Sequence, residues 1–305
     1  MDSHKFYIPP IIGEGMVLRF GKGTILWGKD IPDKKVELEF QERFYAVFTD
    51  KTGNWKIELN DLEPGGPYEL KLHGSEEYLI QQVYVGFVFL LGGQSNMELP
   101  LSRVLDLFEE EVKSIHNPYI RQFAVAQEFD FTKKQEEIEG GSWKAATSEN
   151  IMGFSAAGYF CAAELYEKYK MPIGLICSAV GGSRVEAWLS KEVLLPMNRY
   201  TKTLEQFEKD PNGIKLKERE LEREQLWYSK VEKEDEGKQE DIKWYHDGLE
   251  HKDWKECQMP AGFHEFGLED FSGVLWLYHE FNLTKEEAES SEILLRLGTI
   301  VDADE

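Results

Sequence analysis

The residues that most constrain this chain are Val83-Tyr84-Val85-Gly86-Phe87-Val88-Phe89-Leu90-Leu91, a run without a single charge. β-Branched and aromatic side chains dominate it, and Gly92-Gly93 bound it downstream. Such a run predicts a strand buried on both faces, the kind found in the parallel sheet of an α/β domain. Gln94-Ser95-Asn96-Met97-Glu98-Leu99 follow directly. A serine there falls at the carboxyl edge of the sheet, where open α/β folds build their sites. Ser95 is therefore a candidate nucleophile. The same position also suits an N-cap serine that opens the next helix.

On either side of this strand the periodicity differs. Residues 1–82 alternate with period 2: Val36, Leu38 and Phe40, then Trp55, Ile57 and Leu59, then Tyr68, Leu70 and Leu72. Turn signals at Asp50-Lys51-Thr52-Gly53 and Glu63-Pro64-Gly65-Gly66-Pro67 separate them. This predicts half-buried antiparallel strands in a small β-sandwich. From residue 83 to 250 the pattern is α/β: a helix around Arg103–Ile115, a strand near Ile120–Val125, and a helix from Phe154-Ser155 to about Lys168. Phe154 and Ser155 read as a hydrophobic staple and N-cap. A buried strand at Pro172–Ser178 leads to Gly181-Gly182-Ser183. Residues 201–243 read as one or two solvated helices broken near Asp210-Pro211-Asn212-Gly213. After about residue 250 the pattern turns β again, with strands expected at Gly273–Phe281 and Ile293–Leu297.

Charge and cysteine usage narrow the partners. The formal net charge of −22 argues against nucleic acid or an anionic membrane surface, both of which need clustered Lys and Arg. No stretch approaches the roughly 18 consecutive apolar residues of a membrane span. The residues Met1-Asp2-Ser3-His4-Lys5 show no signal peptide. That implies a cytoplasmic protein if this N-terminus is native, and a secreted one if it was trimmed. The three cysteines are widely spaced, and Cys161 and Cys177 read as core thiols. No CxxC or HxxxH occurs and the histidines are scattered, so no metal site is expected.

Gly93-Gln94-Ser95-Asn96-Met97-Glu98 resembles the nucleophile block of the sialate O-acetylesterase family, within the SGNH/GDSL hydrolase superfamily. Further blocks carry the resemblance in order along the chain. Gly15-Met16-Val17-Leu18, Trp27-Gly28 and Gly53-Asn54-Trp55-Lys56 look like the family's N-terminal β domain. Phe154–Phe160 resembles its helix start, and Pro172–Ile176 with Gly181-Gly182-Ser183 and Glu186-Ala187-Trp188 resembles its second glycine block. Met259-Pro260, Gly273-Val274-Leu275-Trp276 and Glu280-Phe281 resemble the opening of an inserted jelly roll. The resemblance implies an SGNH-like parallel-sheet domain over 83–250, preceded by the β-sandwich of 1–82 and followed over 251–305 by the start of a jelly-roll β domain.

The family's chemistry is removal of O-acetyl groups from carbohydrate, above all sialic acids. By resemblance, Ser95 attacks the acetyl carbonyl, and the N–H groups of Ser95 and Gly182 stabilise the oxyanion. Gln94 and Asn96 would frame the loop or contact substrate. Arg184 could meet a carboxylate or lie at the surface, and Glu186 with Trp188 could contact substrate or anchor the glycine loop. A serine nucleophile also needs a histidine base oriented by a carboxylate. The family's Asp-x-x-His and Gln-Gly-Glu blocks are not found here, and no histidine has a matching context. The expectation is that a second chain carries the C-terminal half. The alternatives are a non-catalytic carbohydrate-binding protein, or a xylan or other polysaccharide acetylesterase on the same scaffold.

Overall fold

The computed structural model describes residues 6–127, 135, 137–210, 213–239, 243–246, 250–259, 261–290 and 293. The chain divides into two compact units, one reaching Glu205 and the other starting at Gln206.

The first unit opens with β1 (Val17–Arg19), β2 (Thr24–Lys29), β3 (Lys35–Phe40), β4 (Arg43–Phe48), β5 (Asn54–Leu59) and β6 (Gly65–His73). The alternation seen in the sequence places side chains as anticipated. Val36, Leu38, Phe40, Trp55, Ile57, Leu59, Leu70 and Leu72 are all buried, while the charged residues between them stay outside. β2 and β5 form an antiparallel ribbon, and its inner residues share one core with β3 and β6. Full burial of each such aliphatic side chain contributes about 1.5–3 kcal/mol.

β7 (Glu77–Leu91) is the central element. It runs 15 residues without a break, so the boundary expected between residues 82 and 83 falls inside one strand. Its first half pairs antiparallel with β6, and Tyr84–Gly86 pair in parallel with β1. Its second half, Phe87–Leu91, pairs in parallel with β10 (Ile173–Cys177). β10 in turn pairs with β8 (Asn117–Ala124), and β8 with the edge strand β9 (Trp143–Ala146). The sheet order is β4-β3-β6-β7-β10-β8-β9, with β1 beside β7. This is a mixed α/β sheet whose β7, β10 and β8 run parallel.

The expectation that the whole run from Val83 is buried holds for Val83–Gly86 and Leu91, but not for Phe87–Leu90 between them. Phe89 and Leu90 are 37% and 70% exposed. Among the described residues, this half has β10 on one edge and no strand on the other.

Helices cover the site end. α1 (Ser95–Glu98) is a single turn, and α2 (Leu105–Lys113) buries Val112. α3 (Ala156–Tyr169) starts as its sequence anticipates: Ser155 is the N-cap, accepting from the Gly158 N–H, and Phe154 meets Tyr159 with ring centres 6.5 Å apart. Cys161 is exposed rather than a core thiol, because α3 buries Ala156, Gly158, Tyr159 and Ala162 and turns Cys161 away. Cys177 is half-buried, and burial raises its thiol pKa. All three cysteines are free.

Arg121 on β8 is buried. Its Nε donates to the Gly15 carbonyl at 2.6 Å, and its guanidinium lies 5.1 Å from the Tyr84 ring centre. Burial lowers its pKa. A side chain at Gly15, where φ is +76°, would collide with that guanidinium.

α4 (Lys191–Leu194) and α5 (Thr201–Lys209) follow, and α6 (Ile214–Glu234) begins the charged helical stretch of the second unit. The helix break near Asp210–Gly213 is as read from the sequence, although Pro211 and Asn212 lie outside the described residues. The strand expected at Gly273–Phe281 is not present. A strand needs a ladder partner, and the described residues of this unit contain none. Trp276 instead donates from Nε1 to Asp235 at 2.9 Å and packs 5.9 Å from Trp244, ring centre to ring centre. Of the strand expected at Ile293–Leu297, all but Ile293 lies outside the described residues, as does Pro260. Among the described residues, no helix is long and apolar enough to cross a membrane. No cluster of three or more metal-ligating side chains occurs among them.

Candidate active site

The site is built where β7 ends. Gly93 takes a φ of +130°, which a side chain would resist, and turns the chain into α1. The N-cap of α1 is Gln94, not Ser95. Its Oε1 accepts from the Ser95 N–H at 3.3 Å and from the Ser95 hydroxyl at 3.0 Å. Ser95 is exposed and carries no capping duty.

Two neighbouring segments clamp this loop. From the end of β10, Ser178 N–H donates to the Leu91 carbonyl and Val180 N–H to the Gly93 carbonyl, both at 3.0 Å. From the start of α3, the Ser155 hydroxyl donates to the Met97 carbonyl at 2.6 Å, and Ala156 N–H to the Leu99 carbonyl at 2.8 Å. Ser155 N–H is itself held by Oε1 of the buried Gln122, 2.9 Å away. A methyl at Gly158 would collide with Leu91 Cδ1, so α3 can approach the strand only because that position is glycine.

The second glycine block faces Ser95. Ser183 N–H donates to the Val180 carbonyl at 3.3 Å, closing a turn with Gly182 in third place at φ +72°. A turn with positive φ at that position favours glycine. A Cβ built on Gly181 would stand 3.6 Å from Ser95 Oγ, and one on Gly182 would meet open space. The structure therefore brings Ser95, Gly181 and Gly182 together. The Gly182 N–H makes no hydrogen bond within the described residues.

The other residues singled out in the sequence surround this pair. Gln94 Nε2 reaches the Ser183 carbonyl at 3.5 Å. Asn96 is exposed. Trp188 Nε1 donates to Ser183 Oγ at 3.1 Å, so Trp188 does anchor the glycine loop. Glu186 accepts from the Tyr200 hydroxyl at 2.5 Å. That hydroxyl lowers the Glu186 pKa, with Arg199 and Arg184 assisting, and Glu186 in return raises the Tyr200 pKa. Arg184 is exposed.

No described histidine of this unit reaches the serine. His73 sits 3.4 Å from Glu77 at the start of β7, the opposite end of the strand from Ser95. His116 precedes β8, at the amino edge of a parallel set whose carboxyl edge carries Ser95. His4 is outside the described residues, and the other four belong to the second unit.

Three contributors were not picked out from the sequence: Glu98, Gln127 and Tyr200. Glu98 accepts the Gly181 N–H in a short hydrogen bond and the Gln127 amide at 2.8 Å. A signal existed for Glu98, since three residues after Ser95 in a helical turn puts the two on neighbouring positions. Nothing local in the sequence links Gln127 or Tyr200 to the site.

A serine on a strand-loop-helix turn at the carboxyl edge of an α/β sheet, facing a glycine turn, lies where open α/β folds build their sites. The profile of the family described as carbohydrate esterase, sialic acid-specific acetylesterase, matches residues 85–251, and the chain belongs to this family. It is 27% identical over 207 residues to the sialate O-acetylesterases of Pongo abelii and Homo sapiens. These alignments cover 61% of this chain and 39% of the relatives. A carbohydrate acetylesterase from Xanthomonas citri is 36% identical with a TM-score of 0.60, over 62% of this chain and 44% of that one. The chain thus spans less than half the length of each of these relatives.

Proposed function

We propose that this chain carries the nucleophile and oxyanion side of a serine esterase that removes O-acetyl groups from carbohydrate, with O-acetylated sialic acids as the substrate class. The observation that carries the reading is the juxtaposition of Ser95 Oγ with the Gly181-Gly182 turn, whose Gly182 N–H has no partner among the described residues. Ser95 Oγ attacks the acetyl carbonyl carbon, and the N–H groups of Ser95 and Gly182 take the developing oxyanion. Collapse breaks the bond to the sugar oxygen, which leaves with a proton. Water then releases acetate from the acyl-serine by the same route.

The imidazole that carries these protons comes from outside the described residues of this unit, because His73 and His116 lie at the wrong ends of their strands. A second chain carrying the C-terminal half, with the histidine and its carboxylate, is the partner proposed. Gln94 and Asn96 frame the acyl pocket, and Arg184 with Glu186 contact the sugar. The β2–β5 ribbon with β3 and β6 is read as the small β-sandwich, and residues 251–305 as the start of the jelly roll. No cofactor enters the reaction.

The test is acetate release from 4-nitrophenyl acetate, with Ser95→Ala as control. Ser95-dependent turnover by this chain alone would mean that it contains its own base. Turnover that appears only after a C-terminal half is added would support the two-chain reading. A panel of sialyl and xylosyl acetates then separates sialate from xylan specificity. Saturable glycan binding that survives Ser95→Ala, with no turnover in either preparation, would instead make it a carbohydrate-binding protein.

A further inference from the structure

Glu98 ends the one-turn helix that Ser95 begins, and its N–H is tied back to the Gln94 carbonyl at 3.0 Å. Its side chain is half-buried. One oxygen accepts the Gly181 N–H and the other the Gln127 Nε2, so both are engaged. A charged acceptor makes each of these bonds stronger than a neutral pair would be. Gly181 is also tightly placed: a Cβ there would stand 2.7 Å from Glu98 Oε2.

We infer that Glu98 is a positioning residue, whose carboxylate fixes the Gly181-Gly182 turn against the nucleophile and so holds the Gly182 N–H in place for the oxyanion. The inference rests on the reading of Gly182 as an oxyanion donor. The same short helix presents Ser95 at its first residue and the clamp for the opposing loop at its last. Serine and glycine turn are thereby set in one frame, and the clamp acts without touching substrate. A side chain at position 181 would press on the clamping carboxylate, so glycine there leaves room for it.

The experiment is amide hydrogen exchange and the ¹⁵N–¹H spectrum of the full chain and two variants. In the parent, the Gly181 amide resonates downfield and exchanges slowly. In Glu98→Ala its exchange speeds up by about 10- to 100-fold, the factor for one hydrogen bond to a charged group. The Gly182 resonance moves with it, while the Val85 and Leu175 amides stay fixed. Glu98→Gln keeps an acceptor without the charge, so Gly181 moves upfield and retains part of its protection. Unchanged Gly181 exchange in Glu98→Ala would overturn the inference. Should that variant fail to fold, an unmoved Gly181 resonance in Glu98→Gln would overturn it as well. In a preparation that turns over 4-nitrophenyl acetate, Glu98→Ala lowers kcat about 100-fold with KM unchanged, the loss expected of a donor misplaced by about 1 Å. An undiminished kcat would refute it. Absence of Ser95-dependent turnover both with and without an added C-terminal half would count against the esterase reading while leaving the Gly181 amide free to report on the clamp.

Discussion

Two successive stretches of the uncharged run in β7 have opposite surroundings. Val83–Gly86 are buried between β6 and β1, whereas Phe87–Leu90 have β10 on one edge and are half-buried or exposed. The enclosed half ties the β-rich region into one core, and the open half delivers Ser95. Stability and site construction are thus assigned to successive stretches of a single strand. An uncharged strand half without a second neighbour is also a ready template for pairing.

The largest expected contrast comes from placing the same charge in each half. Val85→Asp leaves an unpaired carboxylate in the core and costs about 4 kcal/mol or more, whereas Leu90→Asp stays within about 0.5 kcal/mol. Urea denaturation of the two variants measures the difference. Equal losses would show that the open half is covered in solution. Gly158→Ala presses a methyl onto Leu91 from α3 and should cost about 1–3 kcal/mol by overpacking. If Leu91 yields easily instead, the variant unfolds at the parent's urea midpoint.

Ser155→Ala removes both the cap of α3 and its bond to the Met97 carbonyl. The cap alone is worth about 1 kcal/mol, and the shift in urea midpoint reports it. Increased exchange at Met97 and Glu98 without change at Val85 would confine the damage to the open half.

The smallest effect lies in the turn before β5. The hydroxyl of Thr52, then the N–H groups of Asn54 and Thr52, pull the Asp50 pKa from its ordinary 3.8 to about 2. A depressed carboxylate stabilises the fold above the unfolded value, and that contribution fades as pH falls from about 3.8 toward 2. Thr52→Val should raise the Asp50 midpoint in a carboxyl NMR titration. An unmoved midpoint would mean that the backbone donors suffice.

Where a local rule and a tertiary partner agree, the sequence could be read directly. Phe154-Ser155 announced a staple and cap because both act within one helical turn. The alternation through Val36, Leu38 and Phe40 announced a face because a sheet was there to receive it. The same kind of reasoning failed at Gly273–Phe281, where Trp276 packs with Trp244 and Tyr245 while Val274, Leu275, Leu277 and Phe281 stay exposed rather than entering a ladder. β9 escaped notice because Trp143–Ala146 is too short to show a period. At the site, Ser95 and the glycines were visible as a pattern along the chain. The Gln127–Glu98–Gly181 clamp was not, since it joins three separate segments and exists only once β7, β8 and β10 lie side by side.

The uninterrupted course of β7 has a consequence for how this architecture can be recombined. A cut between residues 82 and 83, the natural choice from composition, would divide a strand rather than a linker. The downstream piece would begin with Val83–Gly86 stripped of the β6 and β1 ladders that bury them. The β-rich region is therefore not a cassette that can be exchanged or discarded. Grafting the serine loop onto another protein would have to carry the whole strand and its partners with it.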